Sequence, residues 1–147
     1  MSRGGFGSKL HVMTDGVGNV LQVIVTRGNR NECPLLGPLL GSAVRNHRRR
    51  PARLAADKGY SADAIRDGLV GCGIEPVIPM RDNEHVNDRD RWGVFDKAAY
   101  RRRNVVERCI AKLKEFRRVA TRYEKLAESF VGMINVAVIV LYLRQLS

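Results

Sequence analysis

Tyr100-Arg101-Arg102-Arg103-Asn104-Val105-Val106-Glu107-Arg108-Cys109-Ile110-Ala111-Lys112-Leu113-Lys114 is the stretch on which the reading of the chain turns. At about 100° per residue, Val105, Val106, Cys109, Ile110, Leu113 and the following Phe116 share one arc of a helix, as a face buried against a core requires. Tyr100, Arg103, Glu107 and Lys114 form a narrow stripe along the margin of that arc, over roughly 21 Å of axis. One carboxylate is thus held among cations at the core's edge. Arginine offers forked donors that match phosphate oxygens, lysine a point charge, and tyrosine a hydroxyl on a flat ring. The stripe suits a protein that brings a metal-ligating carboxylate to a phosphate backbone. It equally fits a plain i,i+4 ion pair, Arg103 with Glu107, on a solvated helix surface. Spacing alone leaves both readings open.

A chain of 147 residues, 44% of them apolar, can build one domain with a real core. Twenty-six Lys and Arg against fifteen Asp and Glu give a net charge of +11 and point to a polyanionic partner, most simply nucleic acid. No stretch is expected to span a bilayer, because the apolar run Val131 to Leu143 is short and carries Asn135, and the amino terminus lacks a signal peptide's apolar segment. Cys33, Cys72 and Cys109 are odd in number and far apart, and with His11, His47 and His85 they show no ligand spacing. They read as reduced intracellular thiols and ordinary histidines.

Outward from the central stretch, the opening Ser2 to Ser8 is glycine-rich and reads as a loop. Lys9–Thr14 and Val20–Thr26 alternate as strands about an Asp15-Gly16-Val17-Gly18-Asn19 turn, a hairpin. Pro34 to Asn46 has helical spacing, weakened in its first half by Gly37, Pro38 and Gly41. The basic run Arg45 to Arg53 reads as a solvated loop that can also touch DNA. Arg53 to Asp57 is a short buried strand ending on an acid. A helix follows from the N-cap candidate Ser61 to Val70, then an edge strand from Ile74 to Met80 carrying Pro76 and Pro79. Arg81 to Asp96 is a charged loop in which Trp92 and Phe95 read as packing anchors. One helix is expected from near Ala98 toward Arg118, and a buried helix over Ala127–Leu146. Alternating strands and helices favour an α/β domain.

The spacing Tyr100, Arg103, Glu107, Lys114 resembles the Y-R-E-K signature of DDE-class bacterial insertion-sequence transposases. Ala56-Asp57-Lys58-Gly59-Tyr60 resembles the segment carrying that family's second catalytic aspartate, and Pro76-Val77-Ile78-Pro79-Met80-Arg81 the strand after it. Phe116 to Lys125 resembles the continuation past the signature. The resemblance implies an RNase H-like mixed sheet flanked by helices, in which two aspartates and a glutamate bind two magnesium ions, with manganese as a substitute. Carried over by position, Asp57 and Glu107 are the second and third acids and metal ligands, and Tyr100, Arg103, Lys114 and Arg81 are DNA contacts. Double-stranded DNA at the element's ends and at the target is the implied substrate, in the cytoplasm at the nucleoid, by a homo-oligomer away from membranes.

The family's first aspartate lies on a first strand upstream of the Arg3-Gly4-Gly5 segment, and the sheet is expected to lack that strand. Asp15 sits in the hairpin turn instead and is rejected as a substitute. Residues 1–147 therefore read as the C-terminal portion of a catalytic domain, requiring the N-terminal half of the transposase and inactive alone. The alternatives are a catalytically inactive DNA-binding regulator and a basic RNA- or ribosome-associated protein.

Overall fold

Ser8–Thr14 (β1) and Val20–Arg27 (β2) form an antiparallel hairpin in which His11 faces Ile24, with an irregularity at Met13/Thr14 that pairs Thr14 with Val20. This is the first part of a computed structural model that describes residues 7–81, 94–121 and 126–146. The opening glycine loop, His85, Trp92, most of the charged loop around them and Tyr123 to Lys125 lie outside the described residues. The chain divides into two compact units, Met1–Arg30 with Asn104–Ser147, and Asn31–Arg103.

In the first unit β1 packs against Asn104–Lys114 (α4) and β2 against Ala127–Leu146 (α6), and Arg117–Thr121 (α5) packs against both helices. Cys109, Leu113, Val119, Phe130, Ile134 and Ala137 form the core, and Leu10, Val12, Val23 and Val25 of the hairpin lie against it. Those strand residues alternate along the chain, as a sheet with one buried face requires. Leu113 and Ile134 are fully buried, and truncating either to Ala costs about 3 kcal/mol. Tyr142 at the far end of α6 donates its hydroxyl to the Val20 carbonyl at 2.9 Å and ties the helix to the hairpin.

Two expectations are corrected here. Ala127–Leu146 is buried only along Phe130, Ile134 and Ala137, while Val136, Ile139 and Leu143 on another stripe are more than half exposed. The expectation that no stretch could span a bilayer also fails. The 20-residue helix Ala127–Leu146 contains an 18-residue window of mean hydropathy 1.6 and is long and apolar enough to cross a membrane by length and composition. The helix extends past the apolar run Val131 to Leu143, from Ala127 to Leu146, and takes in Glu128, Ser129, Arg144 and Gln145 at its ends.

In the second unit, a 3-10 turn at Cys33–Leu35 leads into Leu36–His47 (α1). Pro38 falls in the first turn, where a missing amide hydrogen leaves no bond unmade, so the helix starts despite Gly37 and Pro38. Arg48 closes it in the left-handed region, φ 52°. Arg53–Ala55 (β3) and Glu75–Val77 (β4) pair in parallel, Leu54 beside Pro76, joined through Asp63–Gly71 (α2). Gly73, at φ 72°, lets the chain turn back after α2. Ser61 is not the N-cap of α2. Ala62 holds that place, and the Ser61 hydroxyl instead accepts from the buried Arg66 at 2.6 Å. The core is Leu36, Leu39, Leu54, Leu69, Ile74, Val77 and Ile78.

The single helix expected from Ala98 to Arg118 is three pieces. Lys97–Arg102 (α3) ends at Arg103, α4 begins at Asn104, and a turn at Glu115 and Phe116 separates α4 from α5. The apolar arc survives within α4, because Cys109 and Leu113 are buried on it. Among the described residues the strands form two two-stranded sheets, one antiparallel and one parallel. This mixed α/β architecture is consistent with the RNase H-like class.

Candidate active site

The carboxyl end of a parallel strand is where α/β sheets present reactive groups, because the following loops open there. Asp57 stands just past that end of β3, beyond buried Ala56, whose amide donates to the Val77 carbonyl at 3.3 Å. Its side chain caps the single 3-10 turn Lys58–Tyr60, Oδ1 accepting the Gly59 amide at 2.8 Å. The other carboxylate oxygen makes no hydrogen bond among the described residues. Asp57 is half-buried and anchored through one oxygen.

Two neighbours of this turn, Cys33 and Glu32, escaped the sequence reading, and a third, Arg81, was expected in another role. The Cys33 thiol donates to the Gly59 carbonyl at 3.2 Å. Arg81, expected on DNA, donates Nε to the Lys58 carbonyl and Nη2 to the Gly59 carbonyl, both at 3.0 Å. The Glu32 carboxylate flanks the position that a side chain on Gly59 would occupy. A Cβ there would meet Glu32 head-on and lie 2.9 Å from Asp57 Oδ1, so both acids close on one glycine. Tyr60 registers the crowding. Burial first, then the charges of Glu32, Asp57 and Cys33, push its phenol up to about 12 and keep it protonated. Gly59 was legible as a turn glycine; that it makes room for two carboxylates was not.

Tyr100 and Arg103 are brought together. The Arg103 guanidinium carbon lies 5.3 Å from the Tyr100 ring centroid, within cation–π range, and the Phe95 ring is 5.4 Å away on a 54° tilt. Phe95 therefore does act as a packing partner. Asp96 starts α3 by accepting the Ala99 amide at 2.9 Å. Glu107 and Lys114 are both exposed on α4, in its first and last turns, where their charges also complement the helix dipole. The four-residue stripe does not run along one helix, since Tyr100 and Arg103 precede the break and Glu107 and Lys114 follow it.

Asp15 is fully committed. Its Oδ1 accepts the amides of Val17, Gly18 and Asn19 at 2.9 to 3.0 Å, and Oδ2 accepts the Asn19 side chain at 2.9 Å. Burial alone would raise its pKa, but these donors outweigh it and hold the carboxyl below its ordinary 3.8. Beside the same turn, a cavity of about 60 Å³ touched by Gly18, Val105, Arg108, Cys109, Lys112 and Tyr142 has room for a water or two and no more. Burial pushes the Cys109 thiol up, with Lys112 opposing, as suits a core cysteine.

Carboxylates with a free oxygen are the donors a hard divalent cation prefers. Among the described residues, however, no three Asp, Glu, His or Cys side chains come together as a metal group. The positive surface is clearer. Arg48, Arg49 and Arg50 are exposed and have no acid partner among the described residues, whereas Arg53 pairs with Glu75 at 2.7 Å and Asp96 at 3.3 Å.

An α/β protein with a strand-end acid, a second acid on an amphipathic helix and arginines that have no acid partner among the described residues is of the kind that handles nucleic acid. The chain belongs to the transposase DDE domain family, whose model matches residues 2–142, and so to the DDE-class insertion-sequence transposases. It is 37% identical over 128 residues to a Burkholderia cepacia protein named as a transposase for insertion sequence element IS402, covering 83% of this chain and 56% of that one. It is 28% identical over 137 residues to a Brucella ovis protein named as a transposase for IS6501, covering 93% of this chain and 98% of the relative. The chain thus spans little more than half the length of the first relative and nearly all of the second. No solved structure matches.

Proposed function

We propose that residues 1–147 are the C-terminal portion of an RNase H-like transposase domain that cleaves DNA strands and transfers them at insertion-sequence ends. It works in the cytoplasm, at the nucleoid, as a homo-oligomer with an upstream half that supplies the first acid. Asp57 and Glu107 are two of the three acids, with magnesium the expected ion. Tyr100, Arg103 and Lys114 hold terminal phosphates. The observation that carries this reading is Asp57 itself, anchored at the end of β3 through one oxygen and, among the described residues, with no hydrogen bond at the other. The reading of a further, upstream acid is supported by the four hydrogen bonds that already occupy Asp15.

Mixing the chain with its upstream half and labelled end DNA tests the proposal. Magnesium-dependent cleavage that is absent from either half alone, and lost in Asp57→Asn and in Glu107→Gln, is expected. Cleavage that survives both substitutions sinks the assignment. Binding of end DNA with no cleavage in any mixture favours the second reading, a DNA-binding regulator, which Arg48, Arg49 and Arg50 would serve equally well. Removing those three arginines should lower the salt dependence of DNA binding by about 2.7 in log–log slope if each meets a phosphate.

A further inference from the structure

Arg81 is exposed, cationic and next to the candidate acid, which would ordinarily make it a phosphate ligand, yet its donors are already directed elsewhere. Nε and Nη2 point to the carbonyls of two consecutive residues, Lys58 and Gly59, at 3.0 Å each. A one-turn helix leaves its carbonyls short of partners, and a charged forked donor is the strongest available remedy. The amides of the same turn face the other way. Gly59 donates to Asp57 Oδ1 at 2.8 Å, Tyr60 to the Asp57 carbonyl at 3.1 Å, and Ser61 to the Lys58 carbonyl at 3.1 Å. The turn is therefore gripped at its carbonyls by Arg81 and at its amides by Asp57, and tilting it would carry the carboxylate along. Two carboxylates, Glu32 and Asp57, close on Gly59. Their mutual repulsion favours a cation on the carbonyl of that residue.

We propose that Arg81 is a positioning residue, whose guanidinium clamps the Lys58–Tyr60 turn and thereby fixes the Asp57 carboxylate, instead of binding DNA phosphate. This rests on the reading of Asp57 as a catalytic acid. Lysine can only partly replace it, since an ammonium is a point charge without the fork that spans two adjacent carbonyls.

Amide hydrogen exchange on the full chain tests the clamp without DNA. In Arg81→Ala the amides of Gly59, Tyr60 and Ser61 should exchange about 10-fold faster, the consequence of losing charge-assisted hydrogen bonds. Arg81→Lys should recover part of that protection, and amides of α2 and α4 should stay as in the wild type and report an intact fold. On DNA, both variants should keep the wild-type salt slope, whereas a lost phosphate contact lowers it by about 0.9. With the upstream half present, Arg81→Ala should lower kcat for end cleavage about 10-fold with KM for DNA unchanged, a barrier effect without a binding effect. Unchanged exchange at the three amides overturns the proposal, as does a fallen salt slope in either variant. A wild-type chain that neither binds nor cleaves end DNA would refute the functional reading instead, and the exchange experiment would still decide whether Arg81 is a clamp.

Discussion

Asp15 and Asp57 each follow a β-strand, precede a glycine within a few residues and cap the turn that begins there, yet they are chemically opposite. Asp15 accepts four hydrogen bonds, three from amides and one from Asn19, and neither oxygen is left over. Asp57 accepts one amide, and its other oxygen is unbonded among the described residues. A saturated carboxylate is a structural part, because displacing any donor costs a charged hydrogen bond. A carboxylate held by one oxygen is oriented and still able to take a ligand. The contrast teaches that position at a strand end nominates an acid, and the count of donors around it decides.

The largest expected effect breaks the comparison if it fails. In a mixture with the proposed upstream half, Asp57→Asn should slow strand cleavage by roughly 10³-fold, the several kcal/mol attached to a metal-binding acid. Asp15→Asn should leave cleavage per folded molecule unchanged. Equal losses in the two variants would erase the distinction.

Stability should rank the pair the other way. Asp15→Ala should cost about 2 kcal/mol by urea unfolding, and Asp57→Ala no more than about 1. The pH dependence sharpens this. Because the folded pKa of Asp15 is held below 3.8, its contribution is complete above that value and is lost as the pH falls through the folded pKa. The acid limb of the stability curve should flatten in Asp15→Ala.

Gly59→Ala is a finer probe. The colliding atoms are the ends of the Glu32 and Asp57 side chains. They can swing aside, so the stability cost should stay near 1 kcal/mol, at the low end for an overpacked site. Cleavage should nevertheless fall, because Asp57 loses its place. The smallest effect expected is for Asn19→Ala, which removes one of the four donors to Asp15 and should cost about 0.5–1 kcal/mol.

Much of this was legible in residue patterns. The alternation in Lys9–Thr14 and Val20–Thr26 marked the hairpin, and the bounds of α6 were read as Ala127–Leu146. The arc through Cys109 and Leu113 marked the buried face of α4. The break at Arg103 was not legible, because the residues around it carry no helix breaker and the apolar period runs through it. The half-exposure of α6 was missed for a related reason. A helix apolar on most sides does not say which side its neighbours cover, and here Ile134 is covered while Ile139 is not.

The surroundings of Asp57 were illegible for a different reason. Gly59 meets Arg81 across 22 residues and Cys33 across 26, and Arg81 reaches Cys33 across 48 at 3.9 Å. No local period connects such positions. By itself the sequence determined the α/β class, the hairpin, the helix carrying Glu107, the basic character and the family resemblance, since these depend on side-chain period, turn chemistry and ordered motifs along the chain. Only the tertiary structure decided that Asp15 accepts four hydrogen bonds, that Asp57 accepts one among the described residues, and that Arg81 donates to the carbonyls of a turn. Those are facts about which donors converge on one carboxylate, and convergence is set by packing between segments distant in sequence.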